Sequence, residues 1–149
     1  MQKMIRRGLV MLGIIMFCLN AQAQIQVKDA WARASVLQQK STGVFLQIVA
    51  SQEADLVAVE TKAAQSAEMH EMRMVNDTMH MQEIERVHLS AGQVVTFAPG
   101  GMHIMLMGLQ RPLTVGEDIV LKLSFEMKNK KRKQIEVKAQ VRALGEAAK

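Results

Sequence analysis

The sequence predicts an all-β protein, either a sandwich or a barrel of short strands. Several segments alternate apolar and polar residues with the period of two that is typical of a half-buried strand, and turn-forming residues separate them. No window keeps an apolar stripe at i, i+3 and i+4, so long helices are not expected. The composition agrees with a globular fold, because 49% of the 149 residues are hydrophobic and 22% are charged.

Six segments carry the strand pattern. In chain order they are 25–31, 43–50, 56–59, 93–97, 118–127 and 134–141. The Ala-Pro-Gly-Gly sequence at 98–101 predicts a turn after the fourth segment, and the run KNKKRK at 128–133 predicts a hairpin loop between the last two. Since no internal repeat or linker interrupts the pattern, residues 24–149 are expected to form a single domain.

Residues 1–23 have the features of a secretory signal peptide. Three basic residues precede an apolar stretch: Lys3, Arg6 and Arg7. The apolar stretch at 8–19 is shorter than the roughly 20 residues that span a bilayer, and the Ala-Gln-Ala sequence at 21–23 fits a cleavage site. The alternatives are an uncleaved membrane anchor and a lipoprotein attached through Cys18. The residues at 15–17 lack the small side chains that lipoprotein processing requires.

Removal of the signal changes the charge and the cysteine content of the predicted mature chain, which begins at Gln24. It takes away three of the 19 basic residues and none of the 14 acidic ones, so the net charge falls from +5 to +2. Nucleic acid is therefore not an expected partner, and the absence of tyrosine also argues against base stacking. Cys18 is the only cysteine, so the mature chain is expected to have no disulfide. No membrane insertion is expected after the signal is removed.

Methionine and histidine are concentrated between residues 69 and 107. The window holds all four histidines and eight of the nine methionines that follow the signal: His70, His80, His88, His103, Met69, Met72, Met74, Met79, Met81, Met102, Met105 and Met107. Thioether sulfur selects Cu(I), and imidazole binds copper well, so the cluster predicts a copper site. Zinc fits less well, because its structural sites use cysteine and histidine. The alternative is a methionine-rich apolar core, since methionine is a flexible filler of cores.

The spacing within this window supports ligands on neighbouring strands. Residues two apart on a strand project from the same face, and His103 and Met105 have this spacing. Met102, Ile104 and Leu106 are then expected to pack inward. Other residues with the same spacing are His70 with Met72, and Met79 with Met81. Two such strands at a sheet edge would bring imidazoles and thioethers into coordination range.

Four of these residues fit one longer pattern, H-x10-M-x21-H-x-M: His70, Met81, His103 and Met105. The sequence GGMHIMLM at 100–107 surrounds the second histidine, LQRPL follows at 109–113, and Trp-Ala-Arg stands at 31–33. With these features the chain resembles the PCu(A)C family of periplasmic copper chaperones, whose signature is this pattern. The resemblance extends from about residue 25 to residue 141. Met102 stands where an aromatic residue is expected, and Phe45 where tyrosine is commoner.

The resemblance implies a cupredoxin-like Greek-key β-sandwich or barrel that binds one Cu(I) ion per chain through His70, Met81, His103 and Met105. It also implies a monomeric periplasmic metallochaperone with no catalytic activity. Copper would go to the binuclear copper site of cytochrome c oxidase, through subunit II directly or through a Sco-type chaperone. The alternative is a periplasmic copper buffer or resistance protein with the same site. A secondary Cu(II) site is left open, with the amine of Gln24 as a candidate donor.

Other functions and residues fit less well. A blue-copper site needs a cysteine thiolate, and no G-x-S-x-G sequence or Ser-His-Asp arrangement suggests a hydrolase. His80 is expected to face away from Met81 because the two are adjacent, and His88 is expected at the surface. Trp31 is expected to anchor the core, and Met127 to pack within its strand. Three methionines are candidates to line the site or to replace a ligand: Met72, Met79 and Met107.

Overall fold

The structure is a computed structural model that describes residues 24–143 and residue 145. These residues form ten β-strands. The strands are β1 Ile25–Arg33, β2 Ser41–Ala50, β3 Ala54–Thr61, β4 Ala64–Val75, β5 Thr78–Glu83, β6 Val87–Leu89, β7 Val94–Phe97, β8 His103–Leu109, β9 Asp118–Met127 and β10 Arg132–Arg142. This confirms the all-β prediction. The predicted signal peptide, 1–23, lies outside the described residues.

The strands follow one another in a continuous hydrogen-bonded order, β5-β4-β8-β2-β1-β10-β9-β3-β6, and β7 pairs with β2 as well. Among the described strands, β1 and β10 form the one parallel pair. The sheet folds over on itself, so that β3 comes close to β4 although the two are not hydrogen-bonded neighbours. In this part of the chain no helix has the length and apolar character needed to cross a membrane.

A single cluster of buried apolar side chains lies between the two halves of the folded sheet. In β9 the alternation predicted from the sequence is observed, because Ile119, Leu121, Leu123 and Phe125 are all buried. Burial of each such side chain contributes about 1.5–3 kcal/mol relative to leaving it in water. This cluster, and no disulfide, holds the described residues together.

Four strands lie outside the six segments that alternate in the sequence: β4, β5, β6 and β8. The two-residue spacing of the candidate ligands favoured strands at β4, β5 and β8, whereas β6 was not expected. In β4 and β5 the residues are mainly methionine, glutamate, arginine and histidine, and few are the β-branched or aromatic residues that favour strands. All six residues of β5 are exposed, as are the last three of β4. The β4–β5 hairpin therefore forms without the apolar alternation that identifies a half-buried strand.

The short connection between β7 and β8, residues 98–102, determines where β8 begins. β7 pairs with Leu46–Val49 of β2, and β8 pairs with Ser41–Val44 of the same strand. The predicted turn between them is observed, with the Ala98 N–H donating to the Met102 carbonyl at 2.8 Å and a positive φ at Gly100. This connection ends at Met102, so His103 is the first residue of β8.

Gly108, near the end of β8, has a backbone conformation that disfavours other residues. Its φ is +69°, and a Cβ added there would lie 2.7 Å from Oε1 of Gln65 on the neighbouring strand β4. This position lies within a paired strand, so the backbone has little freedom to relax.

We expect Gly108→Ala to lower the free energy of unfolding by about 1–2 kcal/mol, because a left-handed backbone costs this much for a residue with a Cβ. Urea unfolding measures the change. Gly101→Ala is the control, since its Cβ would meet nothing closer than the Ala98 carbonyl at 3.6 Å. Equal stability of the two variants would contradict the prediction.

Candidate metal centre

The predicted ligands lie on one face of the three neighbouring strands β5, β4 and β8. Residues directly opposite each other on paired strands share a face, as do residues two apart on one strand. The register places His70 opposite His103 on β8, and Met72 opposite Met81 on β5. We call this side of the three strands the methionine face, and its members are Glu68, His70, Met72, Met74, Met79, Met81, Glu83, His103, Met105 and Met107.

His70 and His103 form the centre of this face. Their ring centroids are 5.7 Å apart and the rings meet edge to face at 74°. The two residues are only 9% and 8% exposed, so both imidazoles are largely withdrawn from water. Within the described residues, no three side chains of the His, Cys, Asp and Glu types converge as metal ligands.

The hydrogen bonds of the two rings give them opposite tautomers. Nδ1 of His103 lies 3.0 Å from the Gly101 carbonyl, which only accepts, so Nδ1 carries the proton and donates it. Nε2 of His70 lies 2.9 Å from the Glu68 carboxylate and donates to it. The lone pairs left free are therefore on Nε2 of His103 and Nδ1 of His70.

Nδ1 of His70 is the one buried side-chain nitrogen or oxygen without a hydrogen-bond partner among the described residues. An unsatisfied buried polar atom costs about 1–3 kcal/mol, so native structures rarely keep one without a reason. A metal ion bound to this lone pair would satisfy it. Glu68 would then hold the far side of the ring, as carboxylates commonly do for metal-binding histidines.

Met105 lies beside the histidine pair. It is two residues from His103 on β8, half-buried, and opposite Glu68 on β4 and Gly43 on β2. Ile104 and Leu106 face the core, and Met102 packs partly against the core, as expected. The structure thus brings two imidazoles and one thioether together on one face.

Met81 also lies on the methionine face, but on the other side of His70. It is opposite Met72, diagonal to His70, and 53% exposed. Met105 and Met81 are offset by four residues along β4, which in a flat sheet would put their Cα atoms about 17 Å apart. A metal ion that binds both sulfur atoms therefore requires the β4–β5 hairpin to curl toward β8.

An aromatic pair continues the face on the β2 side of Met105. The Trp31 and Phe45 rings lie 4.5 Å apart, and Arg142 and Arg33 cover them at 5.5 Å. A Cβ at Gly43 would lie 2.9 Å from the Phe45 ring. Trp31 is buried as expected, but on the side of the sheet opposite the main core.

The remaining histidines and methionines lie elsewhere. His80 is opposite Arg73 on the other face of the hairpin. His88 is exposed and bonded to Asp55, and this bond together with that from Arg86 lowers the pKa of Asp55 below its ordinary value of 3.8. Met69 and Met127 are buried in the core. A methionine-rich core therefore does not account for the exposed methionines of the hairpin.

Sequence reasoning missed Glu68 and the Gly101 carbonyl, which orient the two histidines. Glu68 stands two residues before His70, the spacing that places both on one face of a strand. That signal was present, but the spacing alone does not show that the carboxylate reaches the ring of His70. A backbone carbonyl has no sequence signal.

Comparison with protein families gives one match across most of the chain. A family model described as "Putative lipoprotein LpqE-like" matches residues 25–141. The relative "Putative lipoprotein Lxx21020" of Leifsonia xyli subsp. xyli is 35% identical over 102 residues, which are 68% of this chain and 61% of the relative. The chain therefore spans about three fifths of that relative's length.

Solved structures with the same fold include PCuAC domains. The apo PCuAC domain of PmoF1 is 25% identical, with a TM-score of 0.65 over 81% of this chain and 95% of that domain. The Cu(I) form of DR1885 from Deinococcus radiodurans is 26% identical, with a TM-score of 0.52 over 82% and 83%. The copper-bound PCuAC domain of PmoF2, at 22% identity and a TM-score of 0.65 over 81% and 94%, supports the fold alone. These comparisons confirm the resemblance to PCuAC domains and the cupredoxin-like β fold.

We expect metal-free protein at pH 8, where imidazoles are generally neutral, to show opposite tautomers at the two buried histidines. Imidazole ¹H–¹⁵N correlation spectra should place the proton on Nε2 of His70 and on Nδ1 of His103. Glu68→Leu should abolish the preference at His70 and leave His103 unchanged. The same tautomer at both rings in the parent protein would contradict the arrangement.

Proposed function

Because the chain belongs to the LpqE-like lipoprotein family and folds as PCuAC domains do, we propose that it is a periplasmic metallochaperone that carries one Cu(I) ion. The proposed ligands are His70, Met81, His103 and Met105. The observation that carries the proposal is the buried histidine pair, in which each ring keeps one lone pair free and Nδ1 of His70 has no partner. The proposed role involves no catalysis.

This donor set suits a carrier that must release its ion. Thioethers and neutral imidazoles are soft or borderline ligands for Cu(I) and contribute no negative charge. Glu68, bonded to His70, acts on the copper through the ring, and a second carboxylate, Glu83, lies opposite His70 on β5. An acceptor with thiolates, which are soft and anionic, should therefore take the ion.

The exposure of the ligands also suits transfer. Met81 is half-exposed while the two histidines are buried, so an acceptor could reach the copper from the hairpin side. Exchange at Met81 would leave the histidine pair in place until the acceptor has supplied its own ligands.

The proposed client is the binuclear copper site of cytochrome c oxidase, reached through subunit II or through a Sco-type chaperone. Export through the N-terminal signal peptide would place the protein in the periplasm with these partners. The family model and the relative are named as lipoproteins. In this chain the residue that would carry a lipid is Cys18, which lies outside the described residues. A Cu(II) site near Gln24 would be additional to the proposed Cu(I) site.

The first test is an anaerobic titration of the purified protein with Cu(I) in competition with a chromogenic Cu(I) chelator. One equivalent should leave the chelator. His103→Asn and Met105→Leu should each weaken binding at least about tenfold, since loss of a donor costs no less than loss of a supporting group. His88→Asn and Met127→Leu are matched controls, because His88 is exposed on β6 and Met127 is buried in the core. If the parent takes no copper, or if the site variants match the parent, the proposal fails.

A second test separates a chaperone from a copper buffer. Cu(I)-loaded protein is mixed with the reduced dithiol form of a Sco-type protein or of a soluble oxidase subunit II domain, and the methionine methyl and imidazole NMR signals are followed. A chaperone should return to its metal-free spectrum at about one equivalent of acceptor. Copper retained against both acceptors would favour the buffer.

A further inference from the structure

The exposed end of the β4–β5 hairpin carries methionines that the proposed Cu(I) site does not use. Met74 is 61% exposed and Met79 is 47% exposed, so neither is part of the core. Methionine is not among the residues enriched in strands, and exposed positions gain nothing from an apolar side chain. Packing therefore gives no reason for thioethers at these positions.

The register brings these thioethers together in pairs. Met74 is the cross-strand partner of Met79, and Met72 is the partner of Met81. Ile84 donates to the Met69 carbonyl at 2.8 Å, which makes 69 and 84 a hydrogen-bonded pair. In the alternating ladder, the methionine pairs are then the non-hydrogen-bonded ones, whose Cα atoms lie about 4.5 Å apart.

A tight turn fixes this arrangement. Asn76 and Asp77 both have positive φ, 48° and 60°, as a two-residue type I′ turn requires. Val75 and Thr78 are paired directly next to the turn. The hairpin therefore holds its register up to the tip, where Met74 and Met79 lie.

The chemistry of this group selects a soft monovalent ion. When Met81 serves the histidine site, three thioethers remain close together: Met72, Met74 and Met79. The charged Arg73 is on the other face and is paired with Glu71 at 2.7 Å, so no cation of this ladder opposes an incoming metal. Three neutral sulfur donors suit Cu(I) and are poor ligands for hard cations and for zinc.

We propose that Met72, Met74 and Met79 form a second, weaker Cu(I) site at the hairpin tip, through which copper passes to and from the buried histidine pair. The inference rests on the proposed function. The methionines form a continuous row from the tip, through Met72 and Met81, to His70. Copper moves along it by exchange of one thioether for the next and remains Cu(I) throughout.

The test is the same anaerobic Cu(I) titration carried beyond one equivalent, with the ¹³C-methyl signals of methionine observed by NMR. The first equivalent should shift the methyl signals of Met81 and Met105, and the second those of Met72, Met74 and Met79. Met74→Leu/Met79→Leu keeps the size and apolarity of the side chains and removes two sulfur atoms. It should bind the first equivalent as the parent does and bind the second at least about tenfold more weakly.

Two further variants make the result decisive. His103→Asn/Met105→Leu should lose the tight equivalent and still bind the weak one at the tip. Met127→Leu removes a thioether that is buried in the core, away from the methionine face, and should change neither equivalent.

The outcomes separate the second site from the proposed function. A second equivalent that is unchanged in Met74→Leu/Met79→Leu, or that leaves the Met74 and Met79 methyl signals unshifted, overturns the tip site and leaves the histidine site intact. A parent protein that lacks the tight equivalent overturns the proposed function. In that case copper bound at the tip in the histidine variant would still support the tip site.

Discussion

The pairing of β4 with β8 is the constraint on which the site depends. It places His70 directly opposite His103 and Met105 opposite Glu68. A shift of this register by one residue would put His70 and Glu68 on the face of the sheet opposite His103 and Met105. The core resists such a shift, because Met69 and Ile104, which lie between the ligands on the same two strands, are buried among apolar side chains. The apolar face thus holds the ligands of the opposite face in place.

The two faces of these strands differ in how much freedom they leave to the side chains. On the core side, close packing fixes rotamers and position. On the methionine face, burial declines outward from the histidine pair, through the half-buried Met105 and Met72, to the exposed Met81 and Met74. The histidines are held rigidly by Glu68 and Gly101, whereas the thioethers keep their flexibility. A rigid centre with flexible donors around it is suited to accepting and releasing an ion.

The sequence was sufficient to predict the fold class and the shared face of His103 and Met105. Alternation identified the strands that border the core, such as β9, and the spacing of His103 and Met105 correctly placed both on one side of β8. It indicated β4 and β5 only through the two-residue spacing of their candidate ligands, because their exposed residues need no apolar alternation. It also could not reveal that Glu68 and a backbone carbonyl determine the tautomers, since these contacts depend on loops and register. The distance of Met81 from Met105 likewise follows from the three-dimensional pairing and not from the pattern.

The connection between β7 and β8, residues 98–102, bears on how the histidine site tolerates insertions and deletions. The 21 residues between Met81 and His103 consist of the last two residues of β5, then β6, β7 and their connections, and none of them is a predicted ligand. β8 takes its register from β4 and β2, whereas β7 pairs with a different part of β2. A residue added at 98–101 would therefore lengthen a loop without moving His103 to the other face, while one added after His103 would reverse Met105. The site therefore depends on the length of the strands that carry the ligands and less on the length of the loop that precedes His103.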